Sequence, residues 1–140
     1  MTVNGKETRR EPPKVLHGYV RVVRGDVGRA EAHKFGLWEF CRANGFMLGT
    51  VFTDWGVEDS EVARPGFSSL LDVCRFVGSE GVVVPAKTHL SPHDRTLETL
   101  MFQLRRIGAR LIAMDEVAAT GQLGINPDKG TESVARGVGP

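Results

Sequence analysis

The stretch VLHGYVRVVRGDVGR, Val15–Arg29, decides the fold. Its first half is β-branched and apolar on both alternations, the pattern of a strand covered on both faces. A charged turn bracketed by Gly25 and Gly28 follows, with Asp26 placed to cap a helix. In GRAEAHKFGLWEFCRANG, Ala30, His33, Leu37, Phe40, Cys41 and Asn44 share roughly one helical face, with Phe35 and Trp38 beside it, and Gly45 gives a stop. In open α/β folds such a strand-to-helix turn is where sites are built. Here the strand ends at Val23, a hydrocarbon that can neither attack nor move a proton.

The pattern repeats outward. FMLGTVFTDW reads as a second strand and GVEDSEVA as an acidic loop. Pro65 suits the first position of a helix whose Phe67, Leu70, Leu71, Cys74 and Val77 form an apolar stripe. EGVVVPAK is a short third strand ended by Pro85. Ser91 as N-cap, Pro92 in the first turn and Asp94 in a capping box predict a third helix. Its Leu97, Leu100, Met101, Leu104 and Ile107 face inward up to Gly108. ARLIAMDE reads as a fourth strand ending at Glu116. The order β-α-β-α-β-α-β predicts a three-layer α/β domain over residues 15–116, with a mainly parallel sheet of four to five strands flanked by helices. Residues 1–14 read as a flexible, mildly basic arm, and residues 117–140 as a Gly-rich, disordered tail.

The chain has 140 residues, enough for one domain, and a net charge of +1, which does not announce a nucleic-acid partner. Cys41 and Cys74 sit among apolar residues at helical spacing, as reduced core thiols do. No stretch is long and apolar enough to span a bilayer, and the N-terminus lacks an apolar signal core, which implies a cytoplasmic protein.

Four motifs, in order, carry a resemblance: Tyr19-Val20-Arg21-Val22-Val23, Phe52-Thr53-Asp54, Arg64-Pro65-Gly66-Phe67-Ser68-Ser69-Leu70-Leu71, and Val82-Val83-Val84. With a last strand reaching Asp115-Glu116, the set resembles the catalytic domain of the serine recombinases, the resolvase and invertase family. That family cuts DNA with a serine hydroxyl that attacks a phosphate, assisted by arginines. The resemblance puts Val23 at the nucleophile's position and matches Arg21 and Arg64 to two active-site arginines. The cluster that should supply Asp, Arg and Arg falls on Thr88, His89 and Pro92. The family also continues into a long dimerising helix and a DNA-binding domain, which the Gly-rich residues after Glu116 are not expected to form.

A guanidinium inside an apolar strand must be paired or face a cleft. Two readings of Arg21 stand: an ion pair with Asp26, Asp54 or Glu58, or a residual anion pocket of Arg21, Arg64, Arg24, His89 and Ser91. Thr88 or Ser91 as a relocated nucleophile ranks below inactivity. His89 and His93 read as surface residues at a helix entrance, so no metal site and no cofactor are expected. Trp55 and Phe46, at the edges of their element, are candidates for exposure. The functional expectation is a catalytically inactive, recombinase-like binding or regulatory module whose partner is another protein or a second copy. The alternatives are a small-anion or nucleotide sensor and, disfavoured by charge, an accessory DNA-binding protein.

Overall fold

The computed structural model describes residues 12–23 and 25–121. Four strands form one sheet: β1 (Lys14–Val22), β2 (Phe46–Trp55), β3 (Gly81–Val84) and β4 (Arg110–Ala113), in the order β2-β1-β3-β4. All three pairings are parallel. Between them run α1 (Val27–Ala43), α2 (Pro65–Phe76) and α3 (Asp94–Arg106), with a 3-10 turn at Lys87–His89 and α4 (Met114–Thr120) after the last strand.

β1 alternates across the sheet. Leu16, Val20 and Val22 pack with Ala30, Leu37 and Cys41 of α1 and with Val83 and Ile112, and Met114 and Val117 of α4 close that side. Tyr19 faces the other way, into Phe67, Leu70 and Cys74 of α2 and Leu100 and Leu104 of α3. The two cores make the three layers that the sequence predicts. From β1 the chain winds outward to β2 and then crosses back to β3 on the far side of β1. The winding reverses between β1 and β3, and in open sheets that switch point opens a crevice at the carboxyl ends of the strands.

The β1–β2 register slips between Leu16 and Gly18, where β2 carries an extra residue. The amide N–H of Thr50 in this bulge donates to His17 Nδ1 at 3.1 Å. His17 is buried, and a Cβ on Gly49 would lie 2.6 Å from its ring, so glycine lets the backbone pass.

Several boundaries differ from the sequence reading. α3 starts at Asp94, not at Ser91, and no side chain caps it. Ser91 instead donates its hydroxyl to Asp59 O at 2.8 Å and accepts from the His93 N–H at 3.0 Å. Local side-chain bonding has outcompeted the capping role that the sequence suggests. β4 ends at Ala113, not Glu116, because Met114 opens α4, and helix persists past Glu116 to Thr120. Val77 caps α2 and is 75% exposed, so it leaves the predicted stripe. Strand pairing begins at Lys14; residues 1–11 of the predicted arm and 122–140 of the predicted tail lie outside the described residues.

Gly49→Ala is expected to lower the unfolding free energy by about 1–3 kcal/mol, because its methyl must displace the buried His17 ring or the bulge. Urea denaturation should show the midpoint falling at constant slope.

Candidate functional site

A cleft of about 470 Å³ opens at the switch point between β1 and β3. Val22, Val23 and Arg21 of the first strand segment form one wall, Thr88, His89 and Pro92 the opposite one, and Asp26, Arg29 and His33 the entrance to α1. Four positions that the sequence flags, Val23, Thr88, His89 and Pro92, therefore surround one space. Val23 is 57% exposed beside it. Ser91 is buried with its hydroxyl doubly engaged, and it does not line the cleft, so it is no open nucleophile.

His89 anchors the far wall. Its Nδ1 accepts from the backbone N–H of Arg21 at 3.3 Å, which leaves the ring proton on Nε2. The ring meets His33 edge-on, with centroids 4.5 Å apart. Burial first, then His33, Arg21 and Arg29, push the His89 pKa down to about 4. Burial, then Arg29, lowers that of His33. Both imidazoles are thus neutral near pH 7. Arg29 approaches Asp26 at 3.9 Å, but both side chains are largely solvated, so the pair is weak.

Arg21 does not reach into this cleft as a free cation. Its ion-pair partner is Asp59 at 2.7 Å, not Asp26, Asp54 or Glu58. Nη1 also donates to Val57 O at 3.2 Å, Nη2 to Thr88 O at 3.2 Å and Nε to His89 O at 3.3 Å. Its side chain is only 6% exposed. The guanidinium therefore ties the end of β1 to the β2–α2 loop on one side and to the segment after β3 on the other.

Arg64 is held apart from the cleft. Nε donates to Glu61 O at 2.7 Å, Nη2 to Asp59 O at 3.2 Å and Nη1 to Tyr19 Oη at 3.4 Å. At 2% exposure it is spent inside the fold, and Arg21 and Arg64 do not converge on a shared opening. Arg24 lies outside the described residues.

Asp54 binds this region together. Its carboxylate accepts from Tyr19 Oη at 2.8 Å and from the Gly66 and Phe67 amides at 2.7 and 2.9 Å. Those amides are orphan donors at the start of α2, where a carboxylate is also favoured by the helix dipole. The Arg64-Pro65-Gly66 run now has local reasons. Arg64 is extended before the helix, Pro65 takes its first position, and a Cβ on Gly66 would lie 2.9 Å from the Asp54 carboxyl. Burial raises the pKa of the Tyr19 hydroxyl, which stays protonated as the donor.

Sequence reasoning missed Asp59, which receives Arg21 through its carboxylate and Arg64 and Ser91 through its carbonyl. The acidic loop Glu58-Asp59-Ser60-Glu61 was its only signal, since any of three carboxylates could have served. His33, placed on the core face by its spacing, lines the cleft as well. Phe46 is half-buried against the α1 core rather than exposed, while Trp55 is exposed. They occupy opposite ends of β2, about 30 Å apart at strand rise, and so form no joint patch. Among the described residues no group of three His, Cys, Asp or Glu side chains could hold a metal ion, and no helix is long and apolar enough to cross a membrane.

The family model described as "Resolvase, N terminal domain" matches residues 16–128. Comparison with curated proteins gives no match. Among solved structures, the N-terminal catalytic domain of TP901-1 integrase superposes with a TM-score of 0.68 at 20% identity, covering 86% of each chain. A resolvase-family site-specific recombinase from Streptococcus pneumoniae gives 0.63 at 15% identity, over 88% of this chain and 82% of that one. The C-terminal catalytic domain of ISC1926 TnpA, an IS607-like serine recombinase, gives 0.62 at 18% identity, over 71% and 69%.

Arg21→Met is expected to cost about 2–4 kcal/mol, since it leaves several carbonyls and the Asp59 carboxylate without their donor. Chemical denaturation measures this directly. A second expectation concerns pH. The folded His89 pKa, about 4, lies below the unfolded value of about 6.5, so the unfolded state binds more protons between them. Stability from this group is complete above that window and is lost as pH falls through it. Urea midpoints should decline across the window at fixed ionic strength, and His89→Gln should flatten the decline. Part of the slope will persist, because the His17 and His33 pKa values are lowered too.

Proposed function

The chain belongs to the resolvase N-terminal domain family, and from that premise we propose that it is a non-catalytic member, a recombinase-like module that works by binding protein. One observation carries the reading: Val23, to which the resemblance gives the family serine's position, lines the cleft at the switch point, and the arginine beside it is consumed by Asp59 and three backbone carbonyls. A hydrocarbon forms no phosphoserine link. Thr88, His89 and Pro92 supply neither the carboxylate nor the guanidinium groups that would neutralise a phosphorane, and losing one such donor alone costs roughly two to three decades in rate. His89 is held neutral and its Nδ1 is already engaged.

The anion or nucleotide reading loses most of its donors on the same grounds. Arg21 and Arg64 face inward, Ser91 is buried, and among the described residues the cation left at the cleft mouth, Arg29, stands beside Asp26. DNA binding finds little in a chain of net charge +1. Protein binding, including association with a second copy, asks nothing of the cleft.

Incubation with supercoiled plasmid and a randomised duplex library, followed by denaturing electrophoresis, tests the proposal. The wild-type chain is expected to yield no covalent protein–DNA adduct. Val23→Ser is expected to stay silent as well, because it restores a hydroxyl without the missing cluster. An adduct with the wild-type chain overturns the reading.

A further inference from the structure

β2 is an edge strand whose outer side pairs with no other strand of the sheet. Two hydrogen bonds fix the backbone parity of that side. The Gly56 N–H donates to Val22 O at 2.8 Å, so Gly56 turns its polar groups to β1. These groups alternate along a strand, so Asp54 and Phe52 turn the same way. Arg21, in register with Asp54, accordingly turns its own N–H away from β2, to His89 Nδ1. Val51, Thr53 and Trp55 therefore point their N–H and C=O groups outward, and no other described segment bonds to them.

This edge lacks the usual protection. Phe46–Trp55 contains no Lys, Arg or Pro, and its single charge, Asp54, is buried and turned to α2. The other edge, β4, is four residues long and opens with Arg110. The bulge after Leu48 lies upstream of the three outward residues and leaves them in regular strand. The loop beyond Gly56 turns back over β1, where Arg21 holds Val57 O and Asp59, and so leaves the edge open.

We propose that β2 is a self-association edge, on which two copies of the chain pair antiparallel about a two-fold axis beside Thr53 and join their sheets. The inference rests on the protein-binding reading above and names the partner as a second copy. One symmetric register uses every outward group. With Thr53 opposite the partner's Thr53, Val51 falls opposite the partner's Trp55, and Trp55 opposite the partner's Val51. These three pairs exchange about six N–H···O bonds, and either neighbouring symmetric register makes about four. The same three residues thus supply both sides of the seam, as an isologous interface requires. Their side chains share the α1 face, in register with Gly18, Val20 and Val22, and an axis perpendicular to the sheet keeps them on one face. Trp55, 47% exposed, then covers the partner's Val51. A χ1 rotation turns the Thr53 hydroxyl, which is buried without a hydrogen-bond partner, to its copy across the axis. The acidic loops at 58–61 follow residues 56 that stand roughly 20 Å apart along the seam, so salt screens them from each other. α1 lies over β1 and β2, so the two α1 helices stand about two strand spacings apart, roughly 10 Å, the separation of packed helices.

Sedimentation velocity tests this across micromolar to near-millimolar concentrations. The wild-type chain is expected to pass from monomer to dimer. Thr53→Lys and Thr53→Glu each set like charges against each other across the axis, and each is expected to weaken self-association by about tenfold or more. Their equimolar mixture sets lysine opposite glutamate and is expected to form a heterodimer within about threefold of the wild-type affinity. Circular dichroism checks that both variants are folded. Cross-linking with diamide reads the register without a change of charge. Thr53→Cys is expected to link to its copy, since facing residues of a hydrogen-bonded pair stand about 5.5 Å apart at Cα. Val51→Cys stands about 14 Å from its copy and is expected to stay unlinked alone, yet to link when mixed with Trp55→Cys. Cys41 and Cys74 are buried and do not compete. A wild-type chain that stays monomeric at every concentration, a charge mixture no tighter than its components, or a Thr53→Cys chain that links no more readily than Val51→Cys would each overturn the inference. None of these outcomes bears on the absence of catalysis, which the adduct assay decides separately.

Discussion

The carboxylate of Asp54 fixes the geometry on which the rest of this structure depends. It stands at the end of an edge strand, in register with Arg21 on β1, yet it turns toward Tyr19 and the first amides of α2. A buried carboxylate that collects three donors at a helix start is held by hydrogen bonds and by the helix dipole together. It joins β1, β2 and α2 at one point. The loop from Gly56 to Arg64 then has both ends fixed, and its interior can present Val57 O and Asp59 to Arg21. The cleft wall is therefore built on Asp54 at one remove.

Arg21 shows how one side chain can carry two meanings. Its neighbours in sequence make it look like a phosphate-binding arginine at the end of a central strand. Its neighbours in space make it a staple across the switch point, where the β1–β3 pairing has ended at Gly18 and Val83 and the β2–α2 loop and the segment after β3 lie outside the sheet. The fork of a guanidinium suits that task, since several carbonyls can be satisfied from one buried group. A lysine would offer a point charge in place of the fork.

The layered α/β architecture was legible because periodicity is a strong signal. β2 was placed to the residue, and the two faces of β1 follow from its doubly apolar pattern. The misplaced ends have local causes. Ser91 found Asp59 O, so α3 begins later; Met114 through Thr120 coil after a four-residue strand, where apolar ARLIA reads equally as a longer one. The grouping of Val23, Thr88, His89 and Pro92 round one cleft could be read from the sequence only through the resemblance. The partner of Arg21 could not, because three acidic residues of one short loop differ only in how the loop turns them. Likewise His17 reads as a strand residue, and its role at the bulge depends on a register slip that no pattern of alternation announces.

The positions that the resemblance aligns with the family's site divide by burial. Tyr19, Arg21, Asp54 and Arg64 are buried and bonded to one another or to shared loop atoms. Val23, Thr88 and Pro92 stand exposed on the rim of the cleft. Exchanges at exposed positions commonly change stability by no more than about half a kcal/mol, while those in a buried polar network cost several times that. A chain can therefore carry a different set of rim residues and still fold, whereas it cannot shed the network behind them. On this argument Arg21 has a structural task as the staple of the switch point, and Arg64 has one in holding the β2–α2 loop against Tyr19. On the non-catalytic reading proposed above, a hydrocarbon at Val23 and a guanidinium at Arg21 are physically independent, one a matter of the surface and the other of the core.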